Sequence, residues 1–141
     1  MRFVLLLFAM AAEIMGPAVN SIDQNTLKNY LENGAPFDFI LLDARGADEI
    51  SKAIGSSACK PYNLAWPSQF KDVSEKIPKD RAIIVYCRSG GRAANAAAFL
   101  DASGYTRVYN AGGILSWTGP TVPPSAIKPA SLLPEASCQS R

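Results

Sequence analysis

Residues 81–104, RAIIVYCRSGGRAANAAAFLDASG, decide the fold of this chain. After its initial arginine, the run at residues 81–87 is apolar and rich in β-branched side chains, which predicts a short strand buried on both faces. The alanine-rich run at residues 93–103 predicts a helix, and Gly104 supplies its end. A strand that leads directly into a helix indicates a parallel sheet.

Patterns on both sides of this stretch alternate in the same way. Helices or helical turns are predicted at residues 23–33, 47–53 and 68–76, and strands at residues 37–43, 58–64 and 107–110. Strands separated by helices predict an α/β fold with a central parallel sheet and helices on both of its faces.

Composition narrows the chemistry that the chain can perform. Hydrophobic residues make up 48% of the 141 residues and charged residues 18%, and the net charge is +2. A buried core is therefore expected, whereas a basic surface for nucleic acid is not. The chain has no histidine, which excludes Ser-His-Asp triads, Cys-His proteases and HExxH zinc sites. Three cysteines without a CxxC pair argue against a structural metal site.

The chemistry is expected in the loop between the predicted strand and helix at residues 81–103. A thiol at this junction faces the positive end of the helix and a turn of backbone N–H groups, and two arginines add charge. These effects favour the thiolate, so the cysteine is predicted to be a nucleophile. The residues of this candidate site are Cys87, Arg88, Ser89, Gly90, Gly91 and Arg92.

Three motifs carry a family resemblance. Residues 87–92, CRSGGR, fit the pattern C-x-x-G-x-R, and residues 43–45, DAR, fit D-x-R at the end of a predicted strand. Residues 110–113, NAGG, with Trp117 fit G-G-x-x-x-W. With these motifs in this order, the chain resembles the single-domain rhodanese family over residues 21–117. It departs from that family at residues 52–55, KAIG, where Gly-His-Ile is common.

The resemblance implies a three-layer fold and a two-step sulfur relay. Cys87 would take a sulfane sulfur from thiosulfate or a similar donor, and cyanide, a thiol or a protein acceptor would remove it. Arg88 and Arg92 would hold the donor's oxyanion, while backbone N–H groups at residues 89–92 would stabilise the persulfide. Asp43 and Arg45 are expected to brace neighbouring loops. The resemblance implies neither a cofactor nor a metal.

Two other functions share features with this relay. Cysteine phosphatases use the longer loop C-x5-R, whereas Arg92 closes a C-x4-R loop here and is followed by Ala93. The shorter loop suits one sulfur atom better than a phosphate. A persulfide carrier, or a binding module that docks on a protein partner, remains an alternative to the enzyme.

The two ends of the chain differ in composition from its centre. Residues 1–18 begin with a basic residue and an apolar run too short to span a bilayer, which predicts a signal peptide and export to the periplasm or outside the cell. Without export, the chain would be cytoplasmic. Residues 19–118 are predicted as the domain, and the proline-rich residues 119–141 as a flexible tail with a free Cys138. Cys59 is predicted to be a small core residue.

Overall fold

A computed structural model describes residues 20–141 of the chain. In this range, strands are interspersed with helices. The strands in this part of the chain are β1 (Asn20–Ser21), β2 (Phe39–Asp43), β3 (Ala53–Ile54), β4 (Tyr62–Asn63), β5 (Ala82–Cys87), β6 (Val108–Gly113) and β7 (Thr121–Val122). The α-helices are α1 (Gln24–Asn33), α2 (Phe70–Ser74) and α3 (Gly91–Ala102). Short 3₁₀ turns lie at Ala47–Glu49, Ile114–Ser116, Pro124–Ala126 and Ala130–Leu132.

The core of the structure is a five-stranded parallel sheet in the order β1-β6-β5-β2-β4. Strand β5 lies in the middle, and all six of its residues are buried. Strand β2 beside it is likewise buried at every position. Both strands carry continuous apolar runs because helices or chain segments cover both faces of the sheet. The predicted central parallel sheet is confirmed.

Alternate side chains of the central strands pack into two separate hydrophobic clusters. Ile83 and Val85 of β5 face α2 and α3, whereas Ile84 and Tyr86 face α1. Helix α3 approaches the sheet closely because the residues that it buries are mostly alanines. The predicted three-layer α/β fold, with helices on both faces, is therefore confirmed.

Interactions between residues close in sequence fix both ends of α1. The backbone N–H of Asn25 donates to the carboxylate of Asp23 at 3.1 Å, which caps the start of α1. Gly34 ends α1 with φ of +93°, a conformation that residues with a side chain rarely adopt. These boundaries agree with the prediction of a helix at residues 23–33.

Residues 119–141 differ from the prediction of a flexible tail. Strand β7 pairs antiparallel with β3, and further along the segment Leu133 and Cys138 are buried. Cys138 also exchanges two backbone hydrogen bonds with Phe39, at 3.0 and 3.1 Å. The flexible-tail prediction is wrong because these partners lie far away in sequence, so the segment needs no periodic pattern of its own to dock.

A disulfide joins the C-terminal segment to the loop between β3 and β4. It links Cys59 to Cys138, which are separated by 79 positions in sequence and have their Cα atoms 4.4 Å apart. The prediction of a free Cys138 is therefore wrong. Cys59 is buried, as predicted, but it forms a cross-link as well as part of the core.

We predict that Cys138→Ser lowers the free energy of unfolding by about 2–4 kcal/mol, because the disulfide restricts the unfolded chain across a long loop. Urea unfolding of the oxidised wild type and of the variant measures the difference. Reduction with dithiothreitol should bring the wild type down to the variant's value and leave the variant unchanged. Equal stability of the two oxidised proteins would contradict the prediction.

Candidate active site

The predicted site lies at the carboxyl end of the central strand. Cys87 is the last residue of β5, and the loop at residues 88–90 leads into α3, which begins at Gly91. Strand register places Cys87 beside Gly113, the last residue of β6. Ligand sites in open parallel sheets lie at this edge, where strands end and helices begin.

Two backbone N–H groups point at the sulfur of Cys87. Gly90 donates to Sγ at 3.0 Å and Ala93 donates at 3.4 Å. Gly90 has φ of +110°, which turns the loop back toward the residue that starts it. Cys87 is only 1% exposed, so these donors act on the sulfur largely away from water. Such a cradle stabilises negative charge on the sulfur.

The loop also packs closely against the end of β6. A Cβ atom on Gly113 would collide with the carbonyl oxygen of Arg88, so this position requires glycine. The same carbonyl oxygen accepts a hydrogen bond from the backbone N–H of Leu115 at 3.1 Å. The NAGG motif thus supports the loop by letting two backbones approach each other.

The arginines of the loop have different surroundings. Arg92 forms a two-pronged ion pair with Glu49, at 2.6 and 2.8 Å. The hydrogen bonds from Arg92, and after them the one from the backbone N–H of Gly46, lower the pKa of Glu49 to about 2. Arg88 is exposed, as is Ser89, and no carboxylate within residues 20–141 forms an ion pair with Arg88.

The D-x-R residues form a buried ion pair behind the loop. The guanidinium of Arg45 donates to both carboxylate oxygens of Asp43, with the shortest contact at 2.7 Å. Arg45 also donates to the carbonyl oxygen of Lys52 at 2.8 Å. The pair therefore ties the end of β2 to the start of β3.

Neighbouring side chains fix the backbone around this ion pair. The amide of Asn63 donates to the carbonyl oxygens of Asp43 and Arg45, at 3.0 and 2.7 Å. The hydroxyl of Tyr86 accepts a hydrogen bond from the backbone N–H of Ile54 at 2.9 Å. Burial, and then the charge of Asp43, raise the pKa of Tyr86, so its phenol stays protonated.

An open pocket of about 570 Å³ lies beside the loop. One part of its lining comes from the chain after β2, and the other from the loop and the turn after β6. The lining residues are Arg45, Glu49, Ser51, Lys52, Arg88, Ile114, Leu115 and Trp117. It shares Arg88 and the Arg92-bound Glu49 with the candidate site, so it is a place where substrates can approach.

Residues 20–141 contain neither a metal-binding cluster nor a membrane-spanning helix. No group of three or more His, Cys, Asp or Glu side chains in this range is arranged to hold a metal ion. No helix in the same range is long and apolar enough to cross a membrane.

Comparison with known proteins identifies the family. The family model of the rhodanese-like domain matches residues 23–119, which is more than half of the chain. The chain belongs to the rhodanese family. The match ends just before β7, so the docked and disulfide-linked residues 120–141 lie outside the matched range.

Individual relatives agree with this assignment. A sulfurtransferase of Allochromatium vinosum is 39% identical over 101 residues, which cover 70% of this chain and 88% of that protein. The solved rhodanese-like domain of the Anabaena protein Alr3790 has 25% identity and a TM-score of 0.62, over 75% of this chain and 80% of that one. A rhodanese-related protein of Thermoplasma volcanium has 26% identity and a TM-score of 0.59, over 73% and 97%.

Sequence reasoning missed several residues around the rhodanese loop. No sequence signature marks Glu49, because Gly46 has no side chain to complete a capping box; in the structure the Glu49 carboxylate accepts the Gly46 N–H at 2.9 Å. Of the backbone N–H groups expected at residues 89–92, that of Gly90 donates to Cys87, and Ala93, one residue beyond that range, supplies the second donor. No local signal marks Lys52 or Leu115 as pocket residues.

We predict that Glu49→Gln changes how the free energy of unfolding depends on pH in acid. Because the folded-state pKa of Glu49 lies below its ordinary value of 4.5, the ion pair stabilises the fold fully above that pH and is lost as pH falls toward 2. The stability difference between wild type and variant, measured by urea unfolding, should therefore be constant above about pH 5 and shrink below it.

The matched control for this prediction is Arg92→Gln, which removes the other half of the ion pair. It should give the same pH dependence, and the double variant should add no further change. A stability difference between wild type and Glu49→Gln that stays constant from pH 5 down to pH 2 would contradict the prediction.

Proposed function

We propose that this rhodanese domain is an enzyme that transfers a sulfane sulfur from thiosulfate to a thiol or cyanide through a persulfide on Cys87. The observation that carries the proposal is the cradle of the Gly90 and Ala93 N–H groups around the Cys87 sulfur. Both a thiolate and a persulfide need such donors, since each carries negative charge in a site with little water.

In the first step, the Cys87 thiolate attacks the outer sulfur of thiosulfate. A bond forms between the two sulfur atoms, and the sulfur–sulfur bond of thiosulfate breaks with its electron pair leaving on sulfite. In the second step, the acceptor attacks the outer sulfur and the electron pair of the broken bond returns to Cys87. Neither step requires a general acid, which agrees with a chain that has no histidine.

No carboxylate of residues 20–141 pairs with Arg88, which supports a role for its charge in holding the donor. Arg88 is exposed and lines the pocket, whereas the guanidinium of Arg92 is paired with Glu49. We therefore assign the sulfonate oxygens of thiosulfate to Arg88, with its planar fork of donors. Arg92 and Glu49 position the loop from the other side, and Asp43 with Arg45 fixes the chain behind it.

We also propose that the domain works in an oxidising compartment, the periplasm or the outside of the cell. The disulfide between Cys59 and Cys138 supports this location, because such bonds persist where thiols are not kept reduced. The predicted signal peptide at residues 1–18 lies outside the described residues.

We predict that Cys87→Ser abolishes sulfur transfer while leaving the fold intact, because a hydroxyl of similar size does not form the anion. Intact-mass measurement after incubation with thiosulfate should show one added sulfur on the wild type and none on the variant. Cyanide should remove the added sulfur and release thiocyanate. Turnover in the variant at the wild-type rate would refute the mechanism.

We predict that Arg88→Ala lowers kcat/KM for thiosulfate by roughly tenfold to a hundredfold, the loss expected for one charge-assisted contact. Arg88→Lys should recover only part of it, since a point charge does not replace the fork. The control is Arg107→Ala, which removes an arginine from the opposite end of β6, where it lies over Phe37. An equal loss in the control would contradict the assignment.

A further inference from the structure

Leu115 lies exposed at the edge of the pocket beside the active-site loop. It is 65% exposed, and the other exposed large hydrophobic residue within the described chain, Leu132 at 43%, does not line that pocket. One exposed leucine is ordinary in itself. This one, however, is fixed next to the nucleophile's loop, because its backbone N–H donates to the carbonyl oxygen of Arg88. Ile114 and Trp117 extend the same apolar lining.

The charges of the pocket leave a positive surplus. Of its four charged lining residues, Arg45 is paired with Asp43 and Glu49 is paired with Arg92. Lys52 and Arg88 are exposed and form no ion pair with any of residues 20–141. Lys52 is held at this position through its backbone, since its carbonyl oxygen accepts a hydrogen bond from Arg45.

The pocket is also larger than the inorganic substrates need. Its volume of about 570 Å³ lies within the range of roughly 300–1,000 Å³ that is typical of sites for organic ligands. Thiosulfate or cyanide would occupy a small part of it. A ligand that used the whole pocket would contact both the cationic residues and the apolar ones.

We propose that this pocket selects the sulfur acceptor, and that the preferred acceptor is an organic thiol with a carboxylate and an apolar group. Lys52 binds the carboxylate and Leu115 packs against the apolar group, while Arg88 serves the donor. The inference rests on the proposed function, because it names the acceptor for the persulfide of Cys87. It makes Lys52 and Leu115 specificity-determining residues.

The transfer step balances without a further reagent. The acceptor thiol first loses its proton to water, and its sulfur then forms a bond to the outer sulfur of the persulfide. The bond between that outer sulfur and Cys87 breaks, and its electron pair leaves Cys87 as the thiolate. The product is an organic persulfide, and the enzyme is ready for another donor.

Three acceptor thiols test the contributions of the carboxylate and of the apolar group separately. N-acetylcysteine and its amide differ only in the carboxylate, whereas N-hexanoylcysteine keeps the carboxylate and lengthens the apolar group. The full-length protein is loaded with thiosulfate and freed of excess donor, and loss of the added sulfur is followed by intact mass. Each second-order rate constant is divided by that for cyanide with the same protein.

Lys52→Met should lower the ratio for N-acetylcysteine roughly threefold and leave that for its amide unchanged, as expected for one exposed charge pair. Leu115→Ala should lower the ratio for N-hexanoylcysteine roughly fivefold to tenfold, with little effect on N-acetylcysteine. The matched controls are Lys60→Met and Leu132→Ala, exposed residues of the same types outside the pocket. Neither control should change any ratio.

The outcomes distinguish the two proposals. If thiosulfate adds no sulfur that cyanide removes, the proposed function fails. If the sulfur is added and cyanide removes it, but Lys52→Met and Leu115→Ala give the same ratios as their controls, the function stands and the acceptor pocket is refuted. Faster discharge by the amide than by N-acetylcysteine in the wild type, with both rate constants expressed per thiolate because the carboxylate raises the thiol pKa, would also refute it.

Discussion

The donation of two backbone N–H groups to the Cys87 sulfur is the interaction on which the site depends. It exists only because the loop after β5 curls back over its first residue, with Gly90 at positive φ. The parallel sheet supports this curl from the side. Register brings Gly113 next to Cys87, and a side chain on Gly113 would collide with the loop, so glycine lets β6 approach it closely.

Ion pairing, and not the number of arginines, determines which cationic groups around the site are free to bind a ligand. Asp43 occupies Arg45 and Glu49 occupies Arg92, so these two guanidinium groups hold chain segments together. Within residues 20–141, the cationic residues of the pocket that form no ion pair are Arg88 and Lys52. A substitution that frees a paired arginine would therefore alter the loop's support and the local field together.

The sequence predicts those parts of the structure that depend on residues close together in the chain. Strand β5 and helix α3 follow from an apolar run and a helix-forming run, and the rhodanese loop follows from residue spacing within 87–92. The ion pair of Glu49 with Arg92 joins residues 43 apart, and no local pattern encodes it. The same holds for residues 119–141, whose docking depends on distant backbone groups and on a cysteine 79 residues away.

The disulfide between Cys59 and Cys138 has a consequence for a sulfur atom stored on Cys87. A persulfide is attacked by any thiol within reach, and attack at its inner sulfur gives a disulfide and releases hydrosulfide. Of the three cysteines of the chain, two are joined to each other and Cys87 alone is free. A persulfide on Cys87 would meet no second thiol in its own chain. Attack by a thiol of the same chain would therefore not occur, and removal of the sulfur would require an external acceptor.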